Sequence, residues 1–411
     1  MTLPGFKFVI VGASTAGLSS AIALKRAGHN VLILEKEAQL GGPDSHKDLL
    51  RILYDAALKE SSENGSDTPT VDIKFGADVL DVDFDTCSVT LRSGEVYSGN
   101  VLIGADGAYG PIRKRLLDEQ QQPRDGVPRG LAVYSAVIPK ALALKDPEIS
   151  KMYDVVYAEN AGPNDKPIEE NMVAFWMGSN RGAQAFPAGQ DQDIVFWVYT
   201  PDSSQDGSWT QPVEQKIADI LGPCDSMIVK LGELAGPATC VQIKNYPELD
   251  EWVSQSGNTV VVGEAAHPFP TISLQTYSIA IEDGAFIGKT FSHTRDPARI
   301  TELLNAFQAY RKQRCAVIDK SEKQYIDMMA IPDGEMQAGR DAAMRSNTAA
   351  GRNVMESEGD AELQAMWENM QWVFGYDPAD DADEWWVSWG RLKQNAAASG
   401  RGGCSGDSDY Q

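Results

Sequence analysis

The stretch Phe8–Glu35, FVIVGASTAGLSSAIALKRAGHNVLILE, decides the fold. An apolar run reaches Gly12, a turn of small residues leads to Gly17, a helical pattern follows, and a second apolar run stops at an acid. This is the pattern of a βαβ unit that holds a dinucleotide. Gly12 permits the sharp strand-to-helix turn, Gly17 lets the helix lie close on the sheet, and the helix N-terminus offers unpaired N–H groups to a pyrophosphate. Glu35 lies 23 residues after Gly12, where a carboxylate can accept hydrogen bonds from ribose hydroxyls. Ser14 stands at the middle glycine position, so the backbone approaches the phosphates less closely. A plain strand–turn–helix would share the glycines. The flanking strands, the helix end at Gly28 and the terminal acid favour dinucleotide binding.

Beyond this unit, Ser45–Glu60 reads as a helix with Leu49, Ile52, Leu53 and Ala56 on one stripe. Strand patterns follow at Val71–Phe75, Ala77–Phe84 and Cys87–Leu91, and an apolar run, Val101–Gly104, opens onto Ala105-Asp106-Gly107. From Gly130 to Val198 the pattern changes to partly alternating strands, Leu131–Ile138, Met172–Met177 and Ile194–Tyr199. Pro212–Leu221 reads as a helix. Thr259–Val262 is a buried-strand run that meets GEAAHPFP, Gly263–Pro270, and helices are predicted over Tyr277–Phe291 and Ile300–Met329. The Gly/Ser-rich tail, Ala396–Gln411, predicts disorder.

The fold class predicted is α/β. A doubly wound, Rossmann-like nucleotide domain spans residues 1–129 and 225–295, an antiparallel substrate sheet is inserted over 130–224, a helical segment covers 296–395, and the tail is 396–411. The chain has 36 basic against 59 acidic residues, a net charge of −23, which argues against nucleic acid or an anionic membrane as partner. No apolar run approaches the roughly 20 residues that span a bilayer. The N-terminus enters a strand by Phe6, and the five cysteines are scattered without metal-type pairing. These features predict a soluble cytoplasmic protein with reduced thiols. Oligomeric state is not encoded in any pattern here.

Three motifs in order resemble the class A flavoprotein monooxygenases, the group of para-hydroxybenzoate and salicylate hydroxylases. They are the βαβ fingerprint, Gly104-Ala105-Asp106-Gly107 with Arg113 six residues on, and GEAAHPFP followed by Ala280-Ile281-Glu282-Asp283. The resemblance implies FAD as cofactor, NAD(P)H as reductant, O2 and a small phenolic or polyketide-like substrate, and hydroxylation or epoxidation in secondary-metabolite biosynthesis. It implies a divergent, shortened member. Cofactor contacts are expected from Gly12, Ser14, Gly17, Glu35, His46, Asp106, Arg113, Glu264 and Tyr277. Tyr134 and His267 are the candidate catalytic residues.

Each of these residues also has a structural reading. Asp106 could form a strand-end turn, Arg113 could cap a helix, His267 could shape a loop, and Tyr134, Trp176 and Trp197 could be sheet core. The departures from the family matter too. Glu264 replaces an Asp, extending the carboxylate by about 1.5 Å. Leu274-Gln275-Thr276 replaces a Gly-Gln-Gly run, and His46 stands where an Arg is usual. Each lost contact costs about 1–3 kcal/mol, roughly ten- to hundredfold in affinity. The accumulated losses keep a second reading open, a non-redox cyclase or isomerase on the same scaffold. A non-enzymatic accessory protein is a third.

Overall fold

The chain, described by a computed structural model over residues 4–41, 47–59, 68–153, 173–202, 212–270, 273–351 and 372–392, begins with β1 (Lys7–Val11), α1 (Thr15–Arg26) and β2 (Asn30–Leu34). Helix α2 (Lys47–Leu58) leads to β3 (Val71–Lys74), the short strands β4 (Val79–Asp83), β5 (Ser88–Leu91) and β6 (Val96–Ser98), then β7 (Val101–Gly104) and α3 (Pro111–Glu119). With β13 (Thr259–Val261), the parallel strands make a sheet of order β13-β7-β1-β2-β3. Strands β4, β5 and β6 form a separate three-stranded antiparallel sheet. The parallel strands are apolar on both faces, as a sheet covered on both sides requires. Phe8, Val9, Ile10, Val101, Leu102, Ile103, Val260 and Val261 are all buried. On α2 the packed stripe is Leu50, Leu53, Tyr54 and Ala57, and Ile52 is 65 % exposed. Of the predicted stripe through Leu49, Ile52, Leu53 and Ala56, Leu53 packs as expected, and the packed face is otherwise rotated by one residue.

A second sheet is built from β8 (Val127–Ile138), β9 (Ala174–Gly178), β10 (Arg181–Ala188), β11 (Asp193–Pro201) and β12 (Thr239–Asn245), all antiparallel, in the order β12-β8-β11-β10-β9. Strand β12 lies past residue 224, where the sequence reading closed the insertion. Its pairing with β8, for example Val241 opposite Val133, carries the sheet back toward the nucleotide-binding region. Short helices α4 (Lys140–Ala143), α5 (Ile217–Ile220) and α6 (Ser226–Leu234) cover one face of this sheet. The helix predicted from Pro212 is shortened to α5, because Pro212 bridges instead to Thr239 on the edge strand.

Helix α7 (Thr276–Ser292) lies against α1, and α8 (Ile300–Met329) follows it. A Cβ on Gly284 would sit 2.6 Å from the Ser20 nitrogen, and one on Gly288 would sit 2.3 Å from Ala23 Cβ. Two glycines one turn apart thus let α7 touch the α1 backbone and bring the N-termini of both helices to the carboxyl ends of the parallel strands. Helices α9 (Glu335–Ala349) and α10 (Pro378–Trp385) complete the described chain. The predicted disordered tail and His46 lie outside the described residues. Among those described, no helix is long and apolar enough to cross a membrane.

Candidate functional site

The carboxyl ends of β1, β7 and β13 lie beside the N-termini of α1 and α7. Gly12 has φ of +105°, a conformation costly for any other residue, and a Cβ there would lie 2.4 Å from the Ala105 carbonyl oxygen. A Cβ on Gly17 would lie 2.1 Å from the Gly12 oxygen. Ser14 is the N-cap of α1. Its Oγ accepts from the Gly17 N–H at 3.3 Å and donates to the Ala105 oxygen at 3.0 Å. The first intrahelical bond runs from Leu18 N–H to Ser14 O, so the amides of Thr15 and Ala16 have no carbonyl one turn back.

Glu35 reaches this loop from the end of β2. Its Oε2 accepts from Ala13 N–H at 2.7 Å and its Oε1 from Glu37 N–H at 2.9 Å. Asp106, after β7, accepts the Ile112 N–H on Oδ2 at 2.7 Å, while its buried Oδ1 has no partner among the described residues. Burial outweighs these hydrogen bonds and the nearby Arg113 charge, pushing the carboxyl up to about 7. Glu264 follows β13, with its Oε2 4.0 Å from where a Gly107 Cβ would stand. Desolvation raises its carboxyl as well, against the pull of His267. The Tyr277 phenol is raised by burial and by the Glu264 charge. Asp106, Glu264 and Tyr277 are thus brought to one place, with Glu35 and Ser14 on the neighbouring loop.

Arg113 is 1 % exposed and turned inward. Its guanidinium donates to the carbonyls of Ala265, Ala266 and Pro247, tying the loop after β13 to α3. His267 is also buried. Its Nε2 is 2.7 Å from Asp283 Oδ2, which also accepts Gly263 N–H at 2.8 Å. Burial opposes a charge on this ring, but the adjacent Cys315 sulfur and Asp283 carboxylate outweigh it and lift His267 to about 10. Asp283 Oδ1 accepts Arg311 Nε at 2.8 Å, and Arg311 and Arg314 both bind Glu282. The sulfur of Cys315 and the ligating atoms of His267 and Asp283 lie within 4.8 Å of one another. The Arg311 charge on the same carboxylate works against a metal cation there. This network was not anticipated as a unit. Its only signals were the acidic pair Glu282-Asp283 and the arginines three apart on α8.

Tyr134 stands elsewhere. Directly paired residues of an antiparallel sheet share a face. One row runs Trp176, Ala183, Val198, Tyr134, Cys240 and packs under α5 and α6, with Tyr134 Oη donating to Gln215 Oε1 at 3.1 Å. The opposite face carries the row Phe175, Gln184, Trp197, Ser135, Thr239 and meets α8. Tyr325 of α8 donates to Gln184 Oε1 at 3.0 Å, and Glu322, one turn earlier, accepts the Leu274 and Gln275 N–H groups at 3.0 Å each. The candidate catalytic Tyr134 thus belongs to the face turned away from α8, and Ser135 occupies the face toward it. A strand's two-residue period puts sequence neighbours on opposite faces.

The residues present fit a dinucleotide cofactor. Gly12 and Gly17 let the turn and α1 close on their own backbone, and among the described residues the Thr15 and Ala16 amides have no backbone acceptor and the buried Asp106 Oδ1 has no partner.

Residues 10–48 match the family model of an NAD(P)-binding Rossmann-like domain. The chain is 24 % identical to the FAD-dependent monooxygenase ntnJ of Nectria sp over 402 residues, covering 85 % of this chain and 90 % of that protein. It superposes on the crystal structure of CtdE in complex with FAD and its substrate with a TM-score of 0.67 at 16 % identity, covering 95 % of this chain and 100 % of that one. The substrate complex of salicylate hydroxylase gives 0.62 at 14 % identity, with 92 % and 97 % covered. The parallel sheet with its inserted antiparallel sheet is the fold of these neighbours, and with the three motifs in order the chain is similar to the class A FAD-dependent monooxygenases.

Proposed function

We propose that this chain is an FAD-dependent monooxygenase that draws reducing equivalents from NAD(P)H. It transfers one oxygen atom of O2 to a small, electron-rich, phenolic or polyketide-like molecule of secondary metabolism, by hydroxylation or epoxidation. The observation that supports this reading is the buried Asp106 Oδ1, without a partner among the described residues, next to the Gly12–Gly17 turn at the carboxyl edge of the parallel sheet, where α/β folds bind ligands. The bound flavin would supply the redox chemistry.

The chain's own groups would hold and shield it. Ser14 and the amides of Thr15 and Ala16 would meet the pyrophosphate, and Glu35 the ribose. Asp106, Glu264 and Tyr277 would meet the polyol between ring and phosphates. His267 keeps the loop that carries Glu264 in position through Asp283, and Arg113 does so through the Ala265 carbonyl. The face of the second sheet that carries Phe186 and Trp197 would exclude water and orient the substrate.

Purified protein should titrate with FAD to one equivalent and oxidise NAD(P)H when an acceptor substrate is present. Glu35→Ala should weaken FAD retention about ten- to hundredfold. The non-redox reading is favoured by one arrangement: both oxygens of Glu35 and both of Glu322 are spent on the chain's own amides. A protein that binds no FAD yet converts a pathway intermediate without oxygen would establish it.

A further inference from the structure

The α8-facing side of the second sheet buries a donor that no group among the described residues uses. Gln184 is 1 % exposed, and its Oε1 accepts the Tyr325 hydroxyl at 3.0 Å. Its Nε2 is buried with no partner. Tyr199 Oη, on the adjacent strand and the same face, is also buried and unpartnered, in a side chain 2 % exposed. Register explains the shared face: Tyr199 pairs with Gly182, two residues from Gln184. Buried polar groups without partners are uncommon, and two on one patch call for a functional explanation.

The neighbours of Gln184 are aromatic. Trp197 and Phe175 stand directly opposite it on either side. Phe186 meets Trp197 edge-on with centroids 5.6 Å apart, and Phe175 meets Tyr325 edge-on at 6.3 Å. Phe175 is 43 % exposed, so the row runs from an open end to the buried amide. Because Tyr325 claims Oε1, the amide plane is set and Nε2 is the end left to donate.

We propose that Gln184 is a specificity-determining residue whose Nε2 donates to a carbonyl or phenolic oxygen on a flat, conjugated substrate held among Phe175, Phe186, Trp197 and Tyr325, with Tyr199 Oη supplying a second polar contact. This names a feature of the substrate of the monooxygenase proposed above, and it rests on that reading. The recognition follows the rule that a site built to pair one polar group rejects the analogue lacking it far more strongly than it rejects a change in apolar bulk.

The test uses the full-length protein saturated with FAD and a matched probe pair, 1-indanone and its deoxy counterpart indane, with binding measured by calorimetry. Wild-type protein should bind indanone at least tenfold more tightly than indane. Gln184→Met, close in volume, should remove that preference with indane affinity held within about twofold. If Gln184→Met does not fold, Tyr325→Phe releases the amide and should reduce the preference severalfold. Equal binding of the two probes by wild-type protein, or an unchanged preference in the folded variant, overturns the proposal, as a water-filled polar patch would give. Failure of the functional reading is read separately, in the FAD titration of the unmutated protein.

Discussion

Asp283 is where a single atom exchange should disturb most of the site. Its carboxylate is 0 % exposed and neutralises two cations at once, Arg311 through Oδ1 at 2.8 Å and His267 through Oδ2 at 2.7 Å, while also accepting Gly263 N–H. Asp283→Asn keeps the shape and removes the charge. Breaking a buried pair in this way typically costs about 3–5 kcal/mol. His267 is lifted to about 10 by the adjacent Cys315 sulfur and by this Asp283 carboxylate, against the cost of burial.

With an unfolding entropy near 2.1 cal/mol/K per residue, the 411-residue chain loses about 1 °C in Tm per kcal/mol if it melts as one unit. The variant should therefore melt about 3–5 °C lower at pH 7, and further if the nucleotide-binding region melts alone. The pH dependence gives the sharper test. A histidine whose pKa rises on folding contributes stability that is fully present below its unfolded value of 6.5 and lost as pH rises through about 10. Differential scanning calorimetry from pH 6 to 10.5 should show the wild-type advantage shrinking across that interval. An Asp283→Asn protein that melts within 1 °C of wild type at pH 7 would refute the charge-pair argument, and a pH-independent difference would refute the assignment of His267 as a cation.

Four further outcomes follow from the site. Gly17→Ala places a Cβ 2.1 Å from the Gly12 oxygen, so α1 must lift from the β1 loop; fluorescence titration should show FAD affinity falling more than tenfold. Asp106 is held near 7 by burial, so its ionisation costs folding energy as pH rises from 3.8 toward 7; Asp106→Asn, which keeps the acceptor for Ile112 N–H, should gain in relative Tm over that range and show no gain at pH 4. Glu322→Ala strands the Leu274 and Gln275 amides, costing about 1–3 kcal/mol for each left buried and unpaired. Hydrogen exchange at those two amides should accelerate, and unchanged protection would show that Glu322 does not hold the turn. Tyr134→Phe loses its bond to Gln215 at an expected cost near 1 kcal/mol, with turnover unchanged because the ring sits on the far face. A large fall in turnover would return Tyr134 to the reaction.

The local sequence determined a good deal. The run from Phe8 to Glu35 specified β1, the turn, α1 and β2, because apolar periodicity, small residues and a terminal acid act between near neighbours. The helix expected over Ile300–Met329 has those bounds in the structure. Ser14, Glu35, Asp106, Glu264 and Tyr277 are legible as candidates from the turn chemistry around them and from the family resemblance.

Only tertiary structure decided which way side chains face and what they touch. Tyr134 and Ser135 are adjacent in sequence yet lie on opposite faces of β8, and the choice was made by which face α8 and α6 came to cover. Arg113 carries the same charge wherever it sits, but three carbonyls from two distant segments turned it inward. Asp283 and Arg311 are 28 residues apart, and Gln184 and Tyr325 are 141 apart. Pairings at that range leave no periodic trace in a chain, because their energy arises only when packing removes water and brings two otherwise solvated groups within hydrogen-bond reach.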